Sequence, residues 1–290
     1  MITIYHHYSA VFILFALCLS CSPVPKEVIY DLRGQVTSIY SMKNEITIRH
    51  EKIPGFLPAM TMPFKVKDIM LLEKRRPGDF IEAKLVITDK EAYLINIVKT
   101  GFEELLIPTE TFQNSTNAVT QLRKGDFLPD VTFIDQDNSP QNFNEYLGKQ
   151  LILTFIYTRC PLPNFCPLMD LRFQSLQKTI LKNKDLKATT RLFSISFDPE
   201  FDTPKILKQY GDELKADYEI WSFLTGEKNV ILNFAEHFGI LVIHNESSPE
   251  EIVHSLRTVV VNASGRLVKI YHGNEWTSED IWEEIAQLRD

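Results

Sequence analysis

Residues 151–167 read LILTFIYTRCPLPNFCP, an apolar run followed by two cysteines in a proline-rich segment. The run Leu151–Tyr157 has the composition of a strand that is buried on both faces. The prolines after it exclude regular helix between Cys160 and Cys166, whereas Pro167 suits a first helical turn. Cys166 is therefore expected near the start of a helix, where backbone N–H groups and the helix dipole lower the pKa of a thiol.

The spacing of the two cysteines favours a chemical role over a structural disulfide. The loop is long enough to bring their Cα atoms within the roughly 4.4–6.8 Å that a disulfide spans. A bridge closing so short a loop would stabilise the fold little, because that stabilisation grows with loop length. Thiolates attack disulfides and bind soft metals, so a redox-active pair and a metal site both remain open.

Around this pair the sequence alternates between strand and helix patterns. The order over residues 123–290 is strand, helix, strand, helix, hairpin and helix, which predicts an α/β thioredoxin-like domain. Further strands are predicted at Arg191–Phe197, Trp221–Leu224, Thr258–Val261 and Leu267–Tyr271, and helices near Pro167 and Pro204 and at 230–238 and 279–288.

Residues 28–100 follow a different pattern, since they read as short strands separated by turn residues. Five strands in about 75 residues predict a small all-β barrel of the OB type. Residues 101–122 are polar and aperiodic at their centre and are expected to form a linker. The predicted strands are Val28–Tyr40, Glu45–His50, Met60–Val66, Phe80–Thr88 and Ala92–Lys99.

The first residues of the chain have the composition of a targeting segment. Residues 1–20 contain no Asp, Glu, Lys or Arg, and their apolar run from Ala10 to Leu19 is shorter than the ~20 residues that span a bilayer. Ser20-Cys21 resembles a bacterial lipobox, so lipidation of Cys21 is expected to tether the chain to a membrane. An uncleaved membrane anchor is the alternative, and either arrangement places the rest of the chain outside the inner membrane.

The overall composition is that of a globular protein with a mild acidic excess. The 290 residues include 31 Lys+Arg and 38 Asp+Glu, for a formal net charge of −7. A hydrophobic fraction of 44% excludes collagen-like and disordered chains. The negative charge argues against nucleic acid as a partner, because phosphate binding needs a basic surface.

A third ligand from a distant segment would distinguish a metal site from a redox pair. Residues 248–258 read SPEEIVHSLRT and carry His254 near the start of a predicted strand. No proline adjoins that strand, although thioredoxin-like reductases place a cis-proline there. Two thiolates and one imidazole suit Cu(I) and are also able to hold Cu(II).

These segments closely resemble the Sco/SenC proteins. The resemblance lies in YTRCP at 157–161, SFDPEFDTP at 196–204 and His254. It implies a copper site formed by Cys160, Cys166 and His254, and a role in assembling the dinuclear copper site of cytochrome c oxidase, as copper donor, thiol reductant or both. The usual Sco loop has three residues between its cysteines, whereas this loop has five.

Two acidic residues of the second segment are also candidates for a role at the site. Asp198 is expected to shape the site or a partner surface. Asp202 is expected to form part of a turn and to cap the helix that begins near Pro204.

A second group of soft-metal ligands lies in the predicted barrel. His50 ends one strand, and Met60 and Met62 lie two residues apart on the next, so both methionines can point to one face. Thioethers select Cu(I) or Ag(I) over hard cations, although paired methionines also fill cores. The segment resembles the periplasmic CusF-like copper domain, which implies His50, Met60 and Met62 as ligands. The Trp that caps the metal in that family is absent here, and Phe56 and Leu57 occupy the corresponding stretch.

The predicted function is that of a lipid-tethered copper chaperone in the bacterial cell envelope, facing the periplasm. Its expected partner is the copper-site subunit of cytochrome c oxidase or another copper protein, and the barrel is expected to collect Cu(I) for the Cys160/Cys166/His254 site. One alternative is a thiol–disulfide reductase, which needs both cysteines but not His254. A second is a copper-resistance or redox-sensing module that depends on Met60 and Met62.

Overall fold

A computed structural model describes residues 27–105, 119–243, 251–253 and 256–287 of the 290-residue chain. The predicted signal segment 1–20, Cys21, His254 and most of the predicted linker lie outside the described residues. No helix in these ranges is both long and apolar enough to cross a membrane.

The N-terminal part is a five-stranded sheet that is antiparallel except at the parallel pair that closes it. Neighbouring strands pair in the order β3-β2-β1-β4-β5, and β5 then pairs with β3 through Lys65 with Tyr93 and Val66 with Leu94. This closure forms a small barrel and confirms the expected all-β domain. The strands are β1 (Val28–Tyr40), β2 (Glu45–His50), β3 (Met60–Val66), β4 (Asp79–Ile87) and β5 (Ala92–Phe102).

The barrel forms because its strands alternate buried and exposed side chains. In β2 the side chains of Ile46, Ile48 and His50 point inward, while those between them face outward or are half-buried. The first three strands have the bounds predicted from the sequence. β5 extends three residues beyond its prediction, to Phe102, because its last residues continue to pair with the start of β4.

The C-terminal part is a mixed sheet with helices in the thioredoxin-like order. β8 pairs in parallel with β9 and antiparallel with β13, and the full order is β14-β13-β8-β9-β10-β6-β7. The strands of this sheet are β6 (Thr132–Asp135), β7 (Pro140–Asn142), β8 (Gln150–Ile156), β9 (Thr190–Ser196), β10 (Trp221–Thr225), β13 (Arg257–Val261) and β14 (Leu267–His272). Two further short strands, β11 (Leu241–Ile243) and β12 (Glu251–Val253), join the sheet of the barrel instead. The helices are α1 (Cys166–Lys182), α2 (Lys184–Thr189), α3 (Pro204–Glu213), α4 (Lys228–Glu236) and α5 (Ser278–Ala286).

The core of this part lies around β8, which is buried along its whole length as its apolar sequence predicts. Helix α1 packs on it through Met169, Phe173, Leu176 and Ile180, which are fully buried at helical spacing. This packing fixes the end of β8 relative to the start of α1, and both cysteines lie between those two points.

Three features of the C-terminal part differ from the sequence-based prediction. Helix α5 runs from Ser278 to Ala286 rather than over 279–288, and its N-cap is Thr277, whose hydroxyl forms a reciprocal capping box with Asp280. The hairpin of β6 and β7 was not predicted, since its strands are short and polar. The short pair β11 and β12 was not predicted either, and β12 pairs with β3 of the barrel at Val253 and Thr61.

Candidate functional site

The two cysteines lie where β8 ends and α1 begins. Cys166 is the first residue of α1 and is fully buried, whereas Cys160 is partly exposed on the preceding loop. Both are free thiols. The loop between them turns back at Leu162, whose carbonyl accepts a hydrogen bond of 3.0 Å from the Phe165 amide. The sequence correctly predicted a buried strand and a helix start on either side of this pair.

The pKa values of the two thiols are shifted in opposite directions. The pKa of Cys166 is raised, although its position at the start of a helix predicted a lowered one. Burial, together with the neighbouring Cys160, raises the pKa of Cys166 well above its ordinary value. Burial also opposes ionisation of Cys160, but hydrogen bonds from the Cys166 thiol and from the amides of Leu162 and Cys166 outweigh it and lower the pKa of Cys160. The N–H groups at the start of the helix therefore favour the thiolate of Cys160, the more accessible sulfur.

Tyr157 is the residue at the base of the loop. Its side chain is largely buried and its hydroxyl donates a hydrogen bond to Cys160. Burial, followed by the nearby charges of Cys160 and Cys166, raises the pKa of Tyr157 far above its ordinary value. Tyr157 therefore stays protonated and acts as a permanent donor to the Cys160 thiolate.

Asp202 connects the loop to the neighbouring segment of the sheet. Its carboxylate is fully buried and accepts a 3.0 Å hydrogen bond from the Thr158 amide and others from the Thr158 and Ser196 hydroxyls. The expected role as a helix cap is wrong, since the N-cap of α3 is Thr203. Asp202 instead fixes the backbone two residues before Cys160, a role that no local sequence pattern indicates.

Asp198 forms an ion pair with Arg159, the residue before Cys160. Its carboxylate pairs with the Arg159 guanidinium at 2.6 Å, and that guanidinium lies 3.8 Å from the centroid of the Phe201 ring. Arg159 is more than half exposed, so this ion pair lies at the rim of the site. Asp198 thus shapes the outer edge of the loop, in accord with one of its expected roles.

A buried acid that the sequence analysis did not single out lies one helical turn beyond Cys166. Asp170 accepts a hydrogen bond from the Tyr210 hydroxyl, while its second oxygen has no partner among the described residues. Burial raises the pKa of Asp170 to about 7 from its ordinary value of 3.8, although the bond from Tyr210 opposes that shift. Its spacing of four residues from Cys166 was the signal that could have identified it.

His254, the third predicted ligand, lies outside the described residues, so its role stays a prediction. The described strand β12 ends at Val253, the residue before it in the sequence. Within the described ranges, no three His, Cys, Asp or Glu side chains form a cluster that could hold a metal ion.

The barrel brings together the three residues predicted from the second soft-metal pattern. His50 of β2 lies directly opposite Met60 of β3, and Met62 follows two residues later on the same face. All three side chains are buried. The Nδ1 atom of His50 lies 2.8 Å from the Glu51 carbonyl oxygen, whereas its buried Nε2 atom has no hydrogen-bond partner in the part of the chain that the structure describes.

A buried imidazole nitrogen on the barrel face that also carries two thioether side chains is a suitable ligand for a soft cation. Burial lowers the pKa of His50, which keeps the ring neutral and its free nitrogen available. Phe56 lies in the stretch that corresponds to the absent Trp. Its ring stacks on Tyr30, with ring centroids 4.0 Å apart. The ring of Phe64 contacts His50 edge-on at 5.6 Å.

Fold and site together define a protein with a thioredoxin-like dithiol domain that follows a small β-barrel. The family model described as SCO1/SenC matches residues 119–290, more than half of the chain. The chain therefore belongs to the SCO1/SenC family. A second family model, described as copper binding periplasmic protein CusF, matches residues 29–99, which contain the barrel.

Individual relatives match the C-terminal part. The SCO1 protein homolog of Bacillus subtilis (strain 168) is 30% identical over 150 residues, which cover 51% of this chain and 75% of the relative. The structure of a SCO1/SenC family lipoprotein from Bacillus anthracis is similar with 27% identity and a TM-score of 0.49, over 59% of this chain and 100% of that chain. The structure of Arabidopsis thaliana ScoI with copper bound is similar with 23% identity and a TM-score of 0.46, over 56% of this chain and 99% of that chain.

Proposed function

We propose that this protein is an envelope copper chaperone that carries Cu(I) on Cys160, Cys166 and His254 and delivers it to the copper site of cytochrome c oxidase. The observation that carries the proposal is the pair of free thiols between β8 and α1, one of them favoured as a thiolate. Membership of the SCO1/SenC family supports it. Transfer proceeds by exchange of sulfur ligands with the target, so it needs no catalytic turnover.

The chemistry of the dithiol suits a soft monovalent ion. Two sulfur ligands select Cu(I) over hard cations, and a neutral imidazole completes a three-coordinate set. The Cys166 thiol has a raised pKa in the metal-free protein, so it gives up its proton as the metal binds. Tyr157 and the loop amides already favour the negative charge on Cys160.

The barrel is proposed as a second copper site, formed by His50, Met60 and Met62. Its support is the position of His50 opposite Met60, the buried Nε2 atom of His50, which has no partner among the described residues, and the match of this part to the CusF family model. The barrel collects Cu(I) and supplies the dithiol site within one molecule. Tethering raises the effective concentration of the donor to about the millimolar range, so transfer does not require a tight docking contact.

Localisation to the periplasmic side of the bacterial envelope follows from the same proposal. The family model for the barrel is described as periplasmic, and the similar Bacillus anthracis protein is described as a lipoprotein. Lipidation of Cys21 would hold the chaperone at the membrane that contains its target. Replacing Cys21 by Ala should abolish incorporation of labelled palmitate into the protein, and unchanged labelling would reject this anchor.

One observation favours a second function, thiol–disulfide reduction. The unequal acidity of Cys160 and Cys166 is typical of an attacking and a resolving thiol. In that reaction the Cys160 thiolate attacks a target disulfide and releases one target thiolate. The Cys166 thiol then gives up its proton and its sulfur attacks the mixed disulfide. The second target thiolate leaves and takes up that proton, and a Cys160–Cys166 disulfide remains for an external dithiol to reduce.

Copper binding by cysteine and histidine variants distinguishes a copper chaperone from a thiol–disulfide reductase. Reduced protein carrying Met60→Ile and Met62→Ile should bind one equivalent of Cu(I), and adding Cys160→Ser or Cys166→Ser should abolish that binding. Unchanged loading in both cysteine variants would reject the site. If His254→Ala loses copper yet keeps full oxidase assembly in cells, the chaperone function fails and the reductase remains.

A further inference from the structure

The barrel and the dithiol domain meet at a charged contact centred on Glu275. Its carboxylate lies 3.4 Å from the Lys65 amine and 3.6 Å from the Lys43 amine, and both lysines belong to the barrel. The two lysines hold the pKa of Glu275 below its ordinary value, mainly through the hydrogen bond from Lys65. Lys65 lies on β3, the same strand that carries Met60 and Met62.

The segment around Glu275 also holds the cysteine loop. The Asn274 side-chain amide donates a 2.7 Å hydrogen bond to the carbonyl of Asn164, which lies two residues before Cys166. The Arg172 guanidinium of α1 donates to the Asn274 carbonyl at 2.5 Å. On the other side of Glu275, the Trp276 ring is buried in the core. Glu275 is therefore the exposed member of a segment that is otherwise anchored in the dithiol domain.

Asn164 lies within the five-residue interval between the cysteines. The carbonyl that accepts the hydrogen bond from Asn274 thus belongs to the loop between the two cysteines. A cavity of about 620 Å³ lies along this contact, and its lining includes Thr61 and Lys65 of β3 together with Phe165 of the loop. β12 adds a second contact, because Val253 pairs with Thr61 between the two methionines.

We propose that Glu275 is a positioning residue that couples the barrel to the dithiol. Its pairing with Lys43 and Lys65 holds the segment Gly273–Trp276, and that segment holds the Cys160–Cys166 loop through Asn164. Strand β3 thereby connects the barrel methionines to the loop that receives the metal. This inference rests on the proposed function and extends it. It assigns the contact that holds the Cys160–Cys166 loop next to the barrel site that would supply its copper.

The test measures hydrogen exchange at the Phe165 amide in the full, metal-free, reduced chain. In Glu275→Gln the ion pairs are lost, and exchange should become about two- to five-fold faster, the range expected for exposed ion pairs. The double variant Lys43→Gln/Lys65→Gln should show the same increase, and Glu275→Asp should recover most of the protection. High salt should bring the wild-type rate up to that of Glu275→Gln, because it screens exposed charges.

A matched control is Glu284→Gln, which removes a carboxylate paired with Lys269 at 2.8 Å inside the same domain. This variant should leave the exchange of Phe165 unchanged. Unchanged exchange in Glu275→Gln would overturn the proposal. So would an increase in Glu275→Gln that the double lysine variant does not reproduce, because Glu275 would then act without the barrel.

A second measurement connects this contact to the metal. In the Met60→Ile/Met62→Ile background, competition with a chromophoric Cu(I) chelator should show about two- to five-fold weaker binding when Glu275→Gln is added. An unchanged affinity in that variant would contradict the coupling. If the Met60→Ile/Met62→Ile protein bound no Cu(I) at all, the proposed copper function would be rejected. Hydrogen exchange at the Phe165 amide would still show whether Glu275 couples the barrel to the cysteine loop.

Discussion

The buried carboxylate of Asp202 accepts hydrogen bonds from both the amide and the hydroxyl of Thr158, a residue 44 positions earlier in the chain. Because Thr158 lies two residues before Cys160, this contact sets where the cysteine loop leaves β8. The Ser196 hydroxyl donates to the same carboxylate and joins the end of β9 to it. The redox or metal-binding pair is thus held by residues of a segment that carries no sulfur ligand.

Replacing Asp202 by Asn should destabilise the fold and loosen the loop. The amide NH₂ group of Asn cannot accept the bonds now made to one carboxylate oxygen, so a buried donor is left unpaired at a cost of about 1–3 kcal/mol. Urea unfolding at neutral pH measures this loss, and hydrogen exchange at Thr158 should become faster.

Asp198→Asn is the matched control for that variant, since it removes only the partly exposed ion pair with Arg159. Its cost should not exceed about 1 kcal/mol. Equal destabilisation by the two substitutions would contradict the anchoring role of Asp202.

The two thiols should react at different rates in the metal-free protein. Cys160 is partly exposed and has a lowered pKa, whereas Cys166 is buried and has a raised one. Alkylation by iodoacetamide at pH 7, followed by mass spectrometry, should modify Cys160 at least about ten times faster. The rate at Cys160 should reach half of its maximum at a pH below the ordinary pKa of a free thiol. Faster modification of Cys166 would show that the assignment of the two roles is inverted.

Asp170 should make stability depend on pH. Its pKa is raised to about 7 in the folded protein from an ordinary 3.8, so the folded state holds the proton more tightly than the unfolded state. Stability from this group is fully present below about pH 4 and is lost as the pH rises to about 7. About three pKa units correspond to roughly 4 kcal/mol. In Asp170→Asn this loss should be absent, which unfolding titrations between pH 4 and 8 would measure.

Tyr210→Phe provides the converse test. The Tyr210 hydroxyl lowers the pKa of Asp170 by donating to it, so its removal should raise that pKa further and extend the loss of stability to higher pH. If the wild type and Asp170→Asn lose stability in parallel between pH 4 and 8, the buried acid is not the cause.

Metal binding by the barrel should depend on His50, whereas the stability of the metal-free protein should depend on it little. His50→Leu removes a buried imidazole whose Nε2 atom has no partner among the described residues. The hydrogen bond lost from Nδ1 goes to the carbonyl of the exposed Glu51, which water can solvate, so the metal-free protein should lose no more than about 1 kcal/mol. The same variant should lose Ag(I) binding to the barrel, measured by calorimetry in a Cys160→Ser/Cys166→Ser background. Ile48→Val, a conservative change at a buried neighbour on the same strand, should retain it. Full Ag(I) binding in His50→Leu would exclude the imidazole as a ligand.

The architecture could be predicted because its signals are local. The apolar run before Cys160, the prolines around the loop and the alternation in β2 and β3 each determine an element without help from distant residues. The shared face of Met60 and Met62 also followed from strand periodicity, whereas the position of His50 opposite Met60 is a finding of the strand pairing.

The parts that sequence reasoning missed depend on contacts between distant segments. Asp202 was interpreted as a helix cap because it lies just before Pro204, yet its carboxylate is bonded to Thr158 instead. A lowered pKa was predicted for Cys166 from its position at the start of a helix alone, whereas burial raises that pKa. The contact of Glu275 with Lys65 joins residues 210 positions apart, and no local pattern indicates it.

The most direct measurement is X-ray absorption at the copper edge of Cu(I)-loaded protein that carries Met60→Ile and Met62→Ile. The account predicts one copper per chain with a shell of two sulfur atoms and one imidazole, and His254→Ala should remove the imidazole while the sulfur shell remains. A spectrum without the two-sulfur shell, or an imidazole signal that persists in His254→Ala, would contradict the proposed copper site.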